Sequence, residues 1–478
     1  MRQMIILSVA MGTVAAAALG LSACGGGGGG GGGGSSSSSL TSSSSSSSSI
    51  AGAGANVVTA EVDGGPSGLN AIDTLYVTVS ICPPNHTSSS QCVSIPNVQV
   101  DTGSYGLRIV YDALTSAQWA SLGLTQETSA GQPVAECAQW ADGYSWGPVV
   151  TGDVVVGSET GTSVPVHLLQ GGSNSTDTNP APSTPYASIP ADCNNGGPNG
   201  EEDTVATFGA NGIIGVGPFV RDCGPGCATS PAIDATYYNC PAGNTPCCPN
   251  PDTATSKCTS EITVAQNLQV SNPVAYFMTD NNGVIIELPS IPAAGQATAT
   301  GVVVFGIGTQ QNNMVGNATV FPATQEYGTI TTVFSDDTGG STTLSGSYFD
   351  TGSNGNFFTD SNIPTCTVDT GFYCPSSTES LSATIEGMSG TPTQNVSFSV
   401  ANTDDLTSGA SASFAAFNDI AGSLPGTQSQ QPGGGVFDWG LPFFFGQNVF
   451  VAIDCASNYD SGVASCATSA PFFATIAN

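Results

Sequence analysis

The chain has 478 residues, of which 35 are acidic and only 4 are Lys or Arg, giving a formal net charge of -31 at pH 7. So little positive charge leaves no basic patch for a polyanion, which excludes nucleic-acid recognition, and the acidity suits work at low pH. The length beyond the first 55 residues exceeds what one sandwich core organises, so two β lobes are expected.

Residues 1–24 come first. Arg2, the apolar stretch from Met4 to Leu21 and the small residues that follow describe a secretory signal, too short and too rich in Ala and Gly for a membrane span. Leu21-Ser22-Ala23-Cys24 resembles the bacterial lipobox. That resemblance implies an acylated Cys24 and an exported protein anchored by lipid to the cell envelope, at the outer membrane because Gly25 rather than Asp follows the cysteine. Residues 25–55 hold Gly25 to Gly34 and a serine-rich run to Ser49, a flexible tether with a typical reach of about 30 Å.

From residue 56 onward, β-branched and aromatic runs alternate with Gly, Pro, Asn, Asp and Ser clusters, as in Leu75-Tyr76-Val77-Thr78-Val79, Val154-Val155-Val156 and Val302-Val303-Val304-Phe305. Such runs favour half-buried pleated backbone, and the one competing helix is short, near Ser116 to Leu122. The fold class is all-β, with an N-terminal lobe over 56–289 that contains a Cys-rich insertion and a C-terminal lobe over 290–478. Of the fifteen cysteines, fourteen remain once Cys24 is set aside. In an exported chain an even number implies disulfides. Short loops predict Cys82 with Cys92, Cys366 with Cys374 and Cys455 with Cys466. Cys223 and Cys227 have ligand-like spacing for zinc, but export favours disulfides, and no metal or other cofactor is expected.

Two segments carry the chemistry: Val98-Gln99-Val100-Asp101-Thr102-Gly103-Ser104 and Ser347-Tyr348-Phe349-Asp350-Thr351-Gly352-Ser353. In each, a β-type run delivers an Asp into a tight Gly turn, one copy per predicted lobe. Asp337 and Asp369 open two further Asp-Thr-Gly copies, read as a hairpin turn and as part of the Cys366 to Cys374 loop. His86 falls in a polar loop and His167 in an apolar strand, so a Ser-His-Asp triad or a multi-His metal site is not expected.

On these motifs the chain resembles the pepsin-like aspartic peptidases, in which each of two lobes gives an Asp-Thr-Gly-Ser/Thr turn. The resemblance implies a two-lobed pepsin-like acid protease fold with a cleft between the lobes. It assigns Asp101 and Asp350 as catalytic carboxylates, and Ser104 and Ser353 as hydrogen-bond donors to them. Thr102 and Thr351 would link the turns, in which Gly103 and Gly352 also lie. Downstream, two apolar residues and a Gly are expected to thread beneath each turn, as Ile213-Ile214-Gly215 and Phe444-Phe445-Gly446. A flap over the cleft is expected around Trp140 to Gly143, with Trp140 or Tyr144 in the place of the family's tyrosine.

Two carboxylates in contact cannot both ionise, so one serves as base and the other as acid; one activates a water and the other protonates the peptide carbonyl. The expected function is an aspartic endopeptidase of the cell envelope, a monomer acting on polypeptide at acid pH. No basic prosegment precedes the domain, which leaves control to pH. The alternatives are an inactive peptide-binding or structural lipoprotein of the same fold, and a disulfide-rich β-sandwich whose two motifs are surface turns.

Overall fold

The structure is a computed structural model and describes residues 54–171, 189–190, 192–193, 197, 199–229, 236–239, 262–335, 340–424, 435–454 and 471–477. Cys24 and the tether to residue 53 lie outside these residues, as do Asp337, Cys455 and Cys466.

The N-terminal lobe is built on a closed ring of six strands. Leu75–Cys82 runs antiparallel to Val93–Asp101 on one side and to the long Gly143–Val156 on the other. Gly143–Val156 turns back as Glu159–Leu169, which pairs in parallel with Tyr105–Val110. Gly212–Val216 closes the ring between Tyr105–Val110 and Val93–Asp101. Side chains two apart share a face of a strand, and Val77, Val79 and Ile81 are accordingly buried together in the same cluster as Val98, Val100, Leu107 and Ile109. The helix expected near Ser116 spans Ser116–Leu122, begun by Thr115 with Gln118 in a reciprocal capping box and ended by Gly123 at φ 55°.

In the C-terminal lobe, Ile330–Ser335 pairs antiparallel with Ser341–Phe349 and with Glu379–Glu386, which returns as Thr393–Val400. Leu381, Ala383 and Ile385 alternate inward. An aromatic core fills this lobe, with Phe358 stacked on Phe437 at 4.8 Å and Phe437 on Trp439 at 4.1 Å.

A six-stranded antiparallel sheet joins the lobes. Its order is Val57–Val62, Ala299–Phe305, Gly283–Leu288, Gln447–Ala452, Phe472–Ala477 and Thr319–Pro322. Strands from both sides of Pro289 share it, so backbone hydrogen bonds as well as side-chain packing fix the lobes against each other. The architecture is all-β, two-lobed and pepsin-like, as the resemblance implied.

Four disulfides occur among the described residues. Cys82–Cys92 and Cys366–Cys374 close the short loops expected of them. Cys223 and Cys227 bond to each other, which removes both from any zinc set. Cys137–Cys193, 56 residues apart, ties the strand Gln132–Gln139 to a distant loop and has no signal in the spacing.

Candidate active site

Each turn is made by a strand that leads into its Asp and a second strand that threads beneath it. In the first lobe Gly212–Val216 lies parallel to the Asp101 strand, Gly215 opposite Asp101, and antiparallel to Tyr105–Val110, Gly215 opposite Gly106. A Cβ on Gly215 would stand 2.5 Å from the Tyr105 nitrogen, so only glycine fits the crossing. Ile213-Ile214-Gly215 is therefore the threading segment expected from sequence.

The second lobe repeats the device with different residues. Asp438–Trp439 pairs in parallel with the Asp350 strand, Asp438 opposite Tyr348 and Trp439 opposite Phe349, and the Asp350 N–H donates to the Trp439 carbonyl at 2.9 Å. A Cβ on Gly440 would lie 2.0 Å from the Gly355 oxygen. The threading segment is thus Asp438-Trp439-Gly440, and the expectation of Phe444-Phe445-Gly446 is corrected. Phe444 ends the short helix Leu441–Phe444, and Gly446 at φ 78° turns the chain out of it, its N–H on the Leu288 carbonyl. A search for two apolar residues before a glycine passes over Asp438.

The two turns meet. Thr102 N–H donates to Thr351 Oγ1 at 3.1 Å and Thr351 N–H to Thr102 Oγ1 at 3.0 Å. The two hydroxyls in turn donate across, Thr102 to the Phe349 carbonyl at 2.8 Å and Thr351 to the Val100 carbonyl at 2.7 Å. Gln99 Nε2 adds a bond to the Gly352 carbonyl at 3.0 Å. Gly103 N–H donates to Asp101 Oδ1 and Gly352 N–H to Asp350 Oδ1, each at 2.7 Å. A Cβ on Gly103 would fall 2.6 Å from the Asp350 carboxyl carbon, and one on Gly352 2.5 Å from Asp101 Oδ1, so each glycine makes room for the other turn's carboxyl.

Asp101 and Asp350 are fully buried and hydrogen-bonded to each other. That arrangement removes the surface-turn reading of the two motifs. Burial raises both carboxyls above their ordinary range. The Asp101 charge pushes Asp350 further up, whereas the hydrogen bond from Asp350, the nearby Ser104, the Gly103 N–H and the Arg108 charge hold Asp101 down. The two carboxyls therefore share a proton and titrate together as a pair.

The two serines differ. Ser353 Oγ lies 2.9 Å from Asp350 Oδ2 and 2.6 Å from Asp438 Oδ2. Ser104, equally buried, lowers Asp101 without a well-aligned hydrogen bond.

The candidate flap is the hairpin between Gln132–Gln139 and Gly143–Val156. Trp140 is buried in the first lobe, Nε1 donating to Ser145 Oγ at 2.8 Å, its face 5.2 Å from the Arg108 guanidinium. Tyr144 is buried in a separate cluster with Trp146 and Tyr238. At the tip, Ala141 packs on the second lobe's cluster around Phe357 and Phe417, so the hairpin bridges the lobes. Elsewhere, Asp369 accepts from Thr407 Oγ1 at 2.7 Å within its disulfide loop. His86 Nδ1 meets Asp153 Oδ2 at 2.8 Å. His167 is buried, kept neutral by its burial and then by Arg108.

A family profile described as "Protein of unknown function (DUF3443)" matches residues 52–474. No curated protein matches the sequence. Among solved structures, the crystal structure of an aspartic proteinase from Irpex lacteus is similar at 15% identity and a TM-score of 0.45, over 88% of this chain and 97% of that one.

Proposed function

The chain belongs to the DUF3443 family, and we propose that it is an aspartic-type endopeptidase, a reading carried by one observation: two buried carboxyls, hydrogen-bonded to each other, on turns cross-linked by their own threonines. In this reading Asp101 takes a proton from a water held between the carboxyls. The water oxygen attacks the peptide carbonyl carbon while Asp350 gives its proton to the carbonyl oxygen. Collapse of the resulting gem-diol returns a hydroxyl proton to Asp350, and Asp101 passes its proton to the leaving amine. No covalent intermediate is required.

The pair must hold one proton, so activity falls as pH rises through its upper apparent pKa and both carboxyls ionise. Purified domain should cleave unfolded protein best in acid. Asp101→Asn and Asp350→Asn should each lower kcat by at least about 10³-fold while leaving the circular dichroism spectrum intact, since each removes one proton-transfer partner and keeps its shape. Hydrolysis that survives both substitutions would move the activity to another site.

The same reading places the enzyme outside the cytoplasm, held to the envelope through Cys24 on its Gly/Ser tether. Support comes from Leu21-Ser22-Ala23-Cys24 and the run that follows. Cells fed a labelled fatty acid should label the wild type and not Cys24→Ser; equal labelling would end the anchor.

A further inference from the structure

A third carboxyl belongs to the site. Asp438 is fully buried, two residues before the glycine that crosses beneath the Asp350 turn, and its Oδ2 stands 2.6 Å from Ser353 Oγ. The same hydroxyl is 2.9 Å from Asp350 Oδ2. One hydroxyl carries one proton and can donate to only one of these two oxygens. The other contact is a clash of lone pairs unless that carboxyl is itself protonated and donates to Ser353.

Counting protons along the row settles its charge. Asp101 to Asp350, Asp350 to Ser353 and Ser353 to Asp438 are three contacts, and each needs a proton between its oxygens. Ser353 supplies one, so the carboxyls supply two, and three carboxyls together hold a single negative charge. Among the described residues nothing cationic relieves Asp438: the groups that face it are Asp350 and Asp101, with Tyr348 beside it in register, and the cation that acts on the row is Arg108, at the Asp101 end. Asp438 Oδ1 and the Tyr348 hydroxyl are buried with no hydrogen-bond partner among the described residues. A second carboxylate charge here would have no counter-ion. Burial, and then the Asp101 charge against the opposing Ser353 bond, holds the Asp438 carboxyl well above its ordinary range.

We propose that Asp438 is a positioning residue that stays protonated in the resting site and hands its proton through the Ser353 hydroxyl to Asp350. The inference rests on the peptidase reading. When Asp350 gives its proton to the carbonyl oxygen, the Ser353 proton moves to Asp350 Oδ2 and the Asp438 proton moves to Ser353 Oγ. The row keeps its protons in balance and Asp438 becomes the carboxylate. Collapse of the gem-diol reverses both transfers. Asp350, fully buried, is thereby recharged from inside the fold rather than from solvent.

Asp438→Asn tests this, because an amide can still donate to Ser353 Oγ but has no proton to give. Asp438→Ile, which copies the matched first-lobe residue Ile213, is the second variant in case the amide disturbs folding. In both, kcat should drop about tenfold with KM within about twofold, a fraction of the roughly hundredfold or more that a group acting directly on substrate contributes. The alkaline limb of kcat/KM should also change from a loss steeper than one proton to a one-proton loss. Wild-type kcat and an unchanged limb in both variants would overturn the proposal. Infrared spectra at about pH 6, above the ordinary carboxyl range, separate its failure from that of the peptidase reading. If Asp438→Asn removes a protonated-carboxyl band while the wild type cleaves nothing, the proton on Asp438 stands and the peptidase reading fails. If the wild type cleaves and no band is lost, the proposal fails alone.

Discussion

The two Asp-Thr-Gly-Ser turns share a backbone and differ in what runs beneath them. Gly215 and Gly440 occupy matched crossings, and the threonines exchange matched bonds. At the position opposite the residue two before the catalytic-type Asp, however, the first lobe offers Ile213 under Gln99 and the second offers Asp438 under Tyr348. An aliphatic side chain leaves Ser104 to its own turn, whereas a carboxyl takes hold of Ser353 and links it to Asp350. The two turns are matched in backbone and differ in one residue outside either motif.

The symmetric part of this comparison can be broken most severely at the crossings. Gly215→Ala and Gly440→Ala should each cost about 3 kcal/mol or more, because the added methyl meets backbone atoms that cannot turn aside. Urea unfolding midpoints measure the loss, and both variants should fall by similar amounts. A tolerated alanine at Gly440 would mean that Asp438-Trp439-Gly440 does not thread the second turn.

That crossing also marks the boundary of what the sequence discloses. Both Asp-Thr-Gly-Ser motifs, Ile213-Ile214-Gly215, the Ser116–Leu122 helix and the two short disulfides are local: their signals sit within a few residues of one another, where turn chemistry, capping and loop closure act. Asp438 could not be found that way, since a search for apolar pairs rejects a carboxyl and its reason for being there, Ser353, lies 85 residues away. Gly435-Val436-Phe437-Asp438-Trp439-Gly440, an acid set in an apolar run that ends on glycine, was the available clue. The Cys137–Cys193 bond and the pairing of Val57–Val62 with Ala299–Phe305 are likewise settled by tertiary packing that no periodicity encodes.

The asymmetry extends from the turns to the lobes, and pH should expose it. Residues 290–478 contain no Lys, Arg or His. In the first lobe, by contrast, Arg108 lies 2.6 Å from Glu136 and 3.4 Å from Asp222. Burial raises Glu136 and Asp222 as well, but the Arg108 charge pulls both back, while Asp350, Asp438 and Asp419 have no such partner among the described residues. A carboxyl whose folded pKa exceeds its unfolded value of about 4 binds more protons in the native state, so stability is complete in acid and is lost as pH rises through the folded pKa. For Asp419, pushed up to about 6 by burial, that window runs from the ordinary carboxyl value to about 6. Asp350 and Asp438, raised by their burial, add to the loss in the same direction. Glu127 at about 6 and Glu159 at about 7 add to the same slope from the first lobe, weakly because both are partly solvated. The melting temperature should therefore be higher at about pH 5 than at about pH 8, a smaller effect than either glycine substitution. Hydrogen exchange should locate the loss: amides of Ser341–Phe349 and Glu379–Glu386 should loosen first on raising the pH, and those of Tyr105–Val110, which carries Arg108, later. A melting temperature that rises toward neutrality, or loosening that starts around Arg108, would show that the second lobe's carboxyls are not held neutral and that the two lobes answer to pH alike.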